Sequence, residues 1–258
     1  LILGVGFSAV PASAGEVDVS SCGTTVPAET TGVVQSDLDC TGGILAILQS
    51  RSTLDLNGHT VRGEIGAAAS GRMAVVGPGT LIGRISGSDE ANKLSVRQVD
   101  IVADSWGILA SQSTLKAEDV TITGATFRAV EVRNARFSNV TISNNPVDKF
   151  AVFTANIRGE GVVADDNGTA GCTLCYALYA TRAIKLRNLD ATGNEGFGVF
   201  GVSWVKLFDS NVTGNNGGGL GIDVAADGNL VVDDTTCGLS GTGEPTPDPG
   251  YWGVCAND

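Results

Sequence analysis

Two ten-residue phrases that share their first two and last three residues lie 21 residues apart in this 258-residue chain: KLRNLDATGN from Lys185 and KLFDSNVTGN from Lys206. A fixed period in this range is the mark of stacked repeats, each of which can bury its apolar face only against its neighbours. The period extends beyond the pair. Strand-like segments with an aliphatic second residue recur as GILAS at Gly107, AVEVR at Ala129, AVFTA at Ala151, ALYAT at Ala177, GVFGV at Gly198 and GLGID at Gly219. A second run follows each of the first five, among them TLKAEDVTIT, ARFSNVTIS and NIRGEGVVA, and KLSVRQVDIVAD at Lys93 fits the same frame. One repeat is longer, and its excess falls in NGTAGCTLCY.

Alternate positions within these runs are apolar, so one side of each strand points inward. No amphipathic segment of helix length interrupts the series. Glycine is abundant, at 36 residues, and only 5% of the chain is aromatic, which suits short strands and tight turns. Units of roughly 20–22 residues stacked strand above parallel strand, about 4.8 Å apart, make an all-β, single-stranded parallel β-helix. A sandwich would need hairpin signatures, and a propeller a period near 40 residues.

The stretch CGTTVPAETTGVVQSDLDCTGG from Cys22, followed by STLDLNGHTVRG, resembles the N-terminal segment of secreted bacterial right-handed parallel β-helix repeat proteins of the pectate-lyase-like superfamily. The likeness is close from Cys22 to about Gly63 and rests on the period alone thereafter. It implies a right-handed coil and a cysteine pair that staples the N-terminal cap. Because the superfamily includes lyases, hydrolases, epimerases and non-catalytic adhesins, it implies no single activity.

The expected organisation is a signal-peptide remnant over 1–14, a disulfide-stapled cap with the first coils over 15–63, the β-helix over 64–236 and a C-terminal disulfide cap over 237–258. The first segment, LILGVGFSAVPASA, resembles the end of a secretory signal, with Ala12-Ser13-Ala14 at the cleavage position. Its apolar run is too short for a membrane-spanning helix. The six cysteines fit export to an oxidising compartment. Cys22 and Cys40, Cys172 and Cys175, and Cys237 and Cys255 suggest three local disulfides, although sequence leaves the pairing open. The expected location is therefore secreted, cell-surface or periplasmic. The net charge of −12 disfavours nucleic acid as a partner, and no nucleotide-binding or multi-histidine metal motif is present, so no cofactor is expected. His59, the one histidine, lies in the N-terminal motif and reads as structural. Oligomeric state is not legible.

The repeat frame orders the outward residues into columns. The first strand carries Leu109, Glu131, Phe153, Tyr179 and Phe200, and two residues on Ser111, Arg133, Ala155 and Thr181. The three rings could stack on sugars, or pack on one another or beneath a loop. The second strand carries Lys116, Arg136, Arg158, Lys185 and Lys206, beside a column of Glu118, Ser138, Glu160, Arg187 and Phe208. Stacked like charges repel, so either an anionic polymer or the neighbouring carboxylates must offset them. Asp165, Asp166, Asp190 and Asp223 fall in different columns and assemble no hydrolase pair. The leading expectation is engagement of an extracellular anionic polysaccharide, with β-elimination on a uronate as candidate chemistry. Lys185, Arg158 and Arg187 are the catalytic candidates. Phe153, Tyr179, Phe200, Lys116, Arg136, Lys206, Glu131 and Arg133 are the substrate-binding ones. A base of this type needs a lowered pKa, which close positive neighbours supply. The alternative is a non-catalytic surface, adhesion or scaffold protein. Asn145, Asn167, Asn194 and Asn215 form a further column that reads as structural.

Overall fold

The computed structural model describes residues 15–68, 71–87, 93–172, 174–216, 222–238 and 240–242. These form strands and turns without a helix, and the strands pair in parallel as a β-solenoid with coils of about 21 residues. Residues 1–14, which carry the signal-like segment, lie outside the described residues.

A single coil is plainest near the C-terminal end, where it consists of Phe197–Gly201, Trp204–Phe208 and Asn211–Thr213. These three strands define a first, second and third sheet. Each pairs with a different part of the long strand Tyr176–Thr192 below it. On the other side they meet Val224–Ala226, Asn229–Asp233 and Thr236–Cys237. The N-terminal strands join the same stack, Glu16–Val19 lying on Thr31–Val34.

Two corners repeat with each coil. Between the second and third sheets one residue takes a positive φ: Gln98, Asp119, Asn139, Gly161, Asn188, Asp209 and Asp234. Five of the seven are Asn or Asp and one is Gly, the residue types that tolerate this conformation best. Between the third and first sheets lies the buried asparagine column. Its side-chain amides donate in one direction, Asn145 to Asn167 at 2.9 Å, Asn167 to Asn194 at 3.0 Å and Asn194 to Asn215 at 2.7 Å. The chain ends at Asp223, whose Oδ1 accepts from the Asn215 amide at 2.8 Å. Each amide also donates to a backbone carbonyl, so the corner is closed from inside.

The main core is one continuous column, mostly Val, Leu, Ile and Ala, running through the stacked coils, with a smaller cluster around Phe197 and Phe200. The longer repeat stays paired across a one-residue register shift between Thr154 and Asn156: Val152 pairs with Leu178 and Arg158 with Lys185. Its extra residues leave the coil as a surface loop bridged by Cys172–Cys175. The N-terminal disulfide joins Cys22 and Cys40, whose Cα atoms are 5.7 Å apart. Cys237 is also disulfide-bonded, while Cys255 lies outside the described residues.

Candidate functional site

The register places the five basic residues of the second sheet directly above one another. Lys116 pairs with Arg136, Arg136 with Arg158, Arg158 with Lys185 and Lys185 with Lys206. Adjacent strands are about 4.8 Å apart, so the column carries one positive charge per step. Carboxylates offset little of it. Lys116 is held by Glu118 at 2.9 Å. Among the described residues, Arg136, Arg158, Lys185 and Lys206 form no ion pair. Glu160, two residues along from Arg158 on the same face, is exposed and also unpaired, so the expected salt bridge between these two columns forms only once.

Next to the column the wall is dented. A cavity of about 450 Å³ is lined by Arg158, Gly159, Glu160, Lys185, Arg187 and Phe208, among others. Gly159 helps to shape it. A Cβ there would stand 2.1 Å from the Phe137 carbonyl oxygen, so a side chain is excluded at that step. Arg187 reaches across to an ion pair with Asp209. The Phe208 ring lies 5.5 Å from the Arg187 guanidinium and 5.9 Å from Lys185 Nζ. On the other flank Trp204 lies 5.4 Å from Lys206 Nζ. Two aromatic rings thus border the C-terminal end of the column. Phe208 was legible as a column member in the sequence, but Trp204 was not singled out, because a lone ring with no aromatic at the same position of the coils beside it carries no periodic signal.

The aromatic ladder belongs to a different wall. Phe153, Tyr179 and Phe200 lie on the first sheet in register. They stack face to face, with centroids 5.6 and 5.5 Å apart and planes within 6° and 2° of parallel. A second ladder, Phe150, Tyr176 and Phe197, runs alongside with centroids 5.3 and 5.0 Å apart. Both faces of Tyr179 are consumed by its neighbours, and the outer face of Phe153 is occupied by the Arg128 guanidinium, 4.6 Å from the centroid. Phe200 is only 7% exposed and packs with Ile222 and Ala225. Sugar stacking needs a free ring face, and this ladder offers edges. The expectation that these rings form a sugar platform therefore gives way to packing between coils.

Glu131 is likewise occupied. It pairs with Arg128 and accepts the Ser111 hydroxyl at 2.8 Å. Arg133 is exposed beyond the first sheet, before the register resumes at Asn134, and is not part of the lining of the dent. Asp223 is buried at the end of the asparagine column rather than poised outside. Asp165 holds the Thr192 N–H and hydroxyl, and burial, opposed by those bonds and aided by Asp190 and Asp166, raises its pKa. His59 Nδ1 lies 3.3 Å from Asp37, on the outside of an N-terminal coil.

Among the described residues no group of three or more His, Cys, Asp or Glu could hold a metal ion. No protein-family model matches this chain, and no curated protein or solved structure matches it either.

Proposed function

We propose that this protein engages a linear anionic polysaccharide, uronate-containing, along the basic column of its second sheet. One observation carries the reading: Arg136, Arg158, Lys185 and Lys206 stand in register and none is neutralised by the protein's own described carboxylates. Such an array is unfavourable by itself and becomes favourable when a string of anions lies on it. Trp204 and Phe208 beside it supply apolar surface of the kind that the C–H faces of sugars cover. The disulfides suit an extracellular setting, where such polymers occur.

The candidate chemistry is β-elimination. Arg158 and Arg187 would hold the uronate carboxylate, and Lys185 would take the proton alpha to it. The C–H bond breaks, a carbon–carbon double bond forms, and the glycosidic C–O bond at the adjacent carbon breaks, its oxygen taking a proton from solvent water as it leaves. The tie between Arg187 and Asp209 favours a second reading, a non-catalytic surface or adhesion protein that uses the column for attachment alone. Incubation with alginate, pectate and glucuronan separates the two. New ultraviolet absorbance from unsaturated uronate, lost in Lys185→Ala, supports elimination. Binding without it supports attachment. Absence of binding to any of the three at low salt removes both.

A further inference from the structure

The basic column stops at Lys116, but the line of cations does not. On the coils before it, Ser95, Ala74 and Thr53 occupy the same column, and none is charged. The charge moves two residues sideways instead. Lys93 pairs with Thr114 and Arg72 with Lys93, so Arg72 and Lys93 form the adjoining column of the same sheet, and Arg51, in the turn before the strand Thr53–Asp55, extends it through its N–H bond to the Arg72 carbonyl. One cation therefore stands on each of eight consecutive coils: Arg51, Arg72 and Lys93, then Lys116, Arg136, Arg158, Lys185 and Lys206. Seven inter-strand steps of about 4.8 Å give a track of about 34 Å, and the jog between columns is only about 7 Å.

The first part of the track has its own depression. A cavity of about 600 Å³ is lined by Arg51, Arg72, Lys93, Lys116 and Arg136, over a floor that includes Met73 and Leu94. No carboxylate lines it. Arg51 is paired with Glu29 at 2.7 Å and Lys116 with Glu118, whereas Arg72 and Lys93 form no ion pair among the described residues. This depression and the one beside Arg158 are joined through the Arg136–Arg158 step. Half of the chain's 16 Lys and Arg residues lie on the track, which leaves the rest of the surface to most of the 28 Asp and Glu residues.

We propose that the depression lined by Arg72 and Lys93 is a second anion-binding subsite, and that one polyanion spans both depressions parallel to the solenoid axis. This rests on the reading of the column as a polysaccharide site. The shape of the track favours a single thin chain. A duplex nucleic acid presents one charge per about 1.7 Å of axis over a wide surface, whereas this stripe is one residue wide with a charge every 4.8 Å or so.

The test compares a short oligouronate, long enough for half the track, with a long one that covers all of it, both titrated at low salt. Arg72→Ser with Lys93→Ser changes two exposed side chains and leaves the core untouched. The long oligomer should bind the native protein at least about tenfold more tightly than the short one, an advantage of about 1.4 kcal/mol. The double variant should lose that advantage and keep its affinity for the short oligomer, while Lys185→Ser with Lys206→Ser loses both. Equal affinity of the two oligomers for the native protein, or an unchanged length advantage in the Arg72/Lys93 variant, overturns the second subsite and leaves the column intact. Failure of both oligomers to bind overturns the polysaccharide reading itself. Equal binding of single-stranded oligothymidylate through the same residues overturns the choice of polysaccharide.

Discussion

At the residue scale, Asp223, which the sequence places in no hydrolase pair, is architecture. Its Oδ1 accepts the Asn215 N–H and side-chain amide, and its Oδ2 accepts the Gly238 N–H at 2.9 Å. Only acceptors satisfy all three donors, so a carboxylate fits the end of the ladder where an amide cannot. Asp223→Asn turns an NH₂ toward an N–H, and unfolding by denaturant should show a loss of about 1–3 kcal/mol. Asn194 has the reverse requirement. Its amide donates to Ala164 and Asn215, so Asn194→Asp should destabilise for want of a donor. Asp165 gives a pH prediction. Burial raises its folded-state pKa above the unfolded value, so its contribution to stability is fully present below the unfolded pKa and is lost as pH rises through the folded one. Asp165→Asn keeps an acceptor for Thr192 and never ionises. Denaturation midpoints of the variant and the native protein should converge in acid and separate in the variant's favour as pH rises through the carboxylate range.

At the scale of the coil, the strands were legible because each repeats its neighbour's pattern of aliphatic and polar residues, and the asparagine column because it recurs at one corner. What a column faces is a different matter. Phe153, Tyr179 and Phe200 were correctly aligned in the sequence, yet alignment does not reveal that rings in register stack on each other at about the strand spacing and so use up their own faces. Arg51, Arg72 and Lys93 escaped notice for another reason. The glycine-rich stretch around Gly63–Gly83 blurs the frame, and the charge shifts column between Lys93 and Lys116, so no single alignment places all eight cations in one line. Two predictions belong to this scale. Tyr179→Ala removes a ring stacked on both sides and should cost about 2–3 kcal/mol in thermal unfolding, with binding of anionic glycans unchanged. Replacing Cys22 and Cys40 by Ser opens a loop with a sequence separation of 18 and should cost about 3 kcal/mol, read as a lower melting temperature.

At the scale of the whole molecule, an acidic chain has gathered half of its cations into one axial track, two adjoining columns along one sheet. A solenoid makes that arrangement easy to build, since a residue chosen once per coil becomes a row, and makes it unfavourable to leave uncovered, since the row repels itself. The measurement that tests this most directly is the affinity of the native protein and of Arg158→Ser/Lys185→Ser/Lys206→Ser for a uronate polymer across a salt series. The account predicts binding at low salt that weakens steadily as ionic strength rises and screening shortens to about 8–10 Å, with the triple variant bound at least about tenfold more weakly at low salt and with a shallower salt dependence, while neutral glycans bind neither protein. Native protein that binds no uronate polymer at low salt, or a triple variant that binds as tightly as the native one, would contradict it.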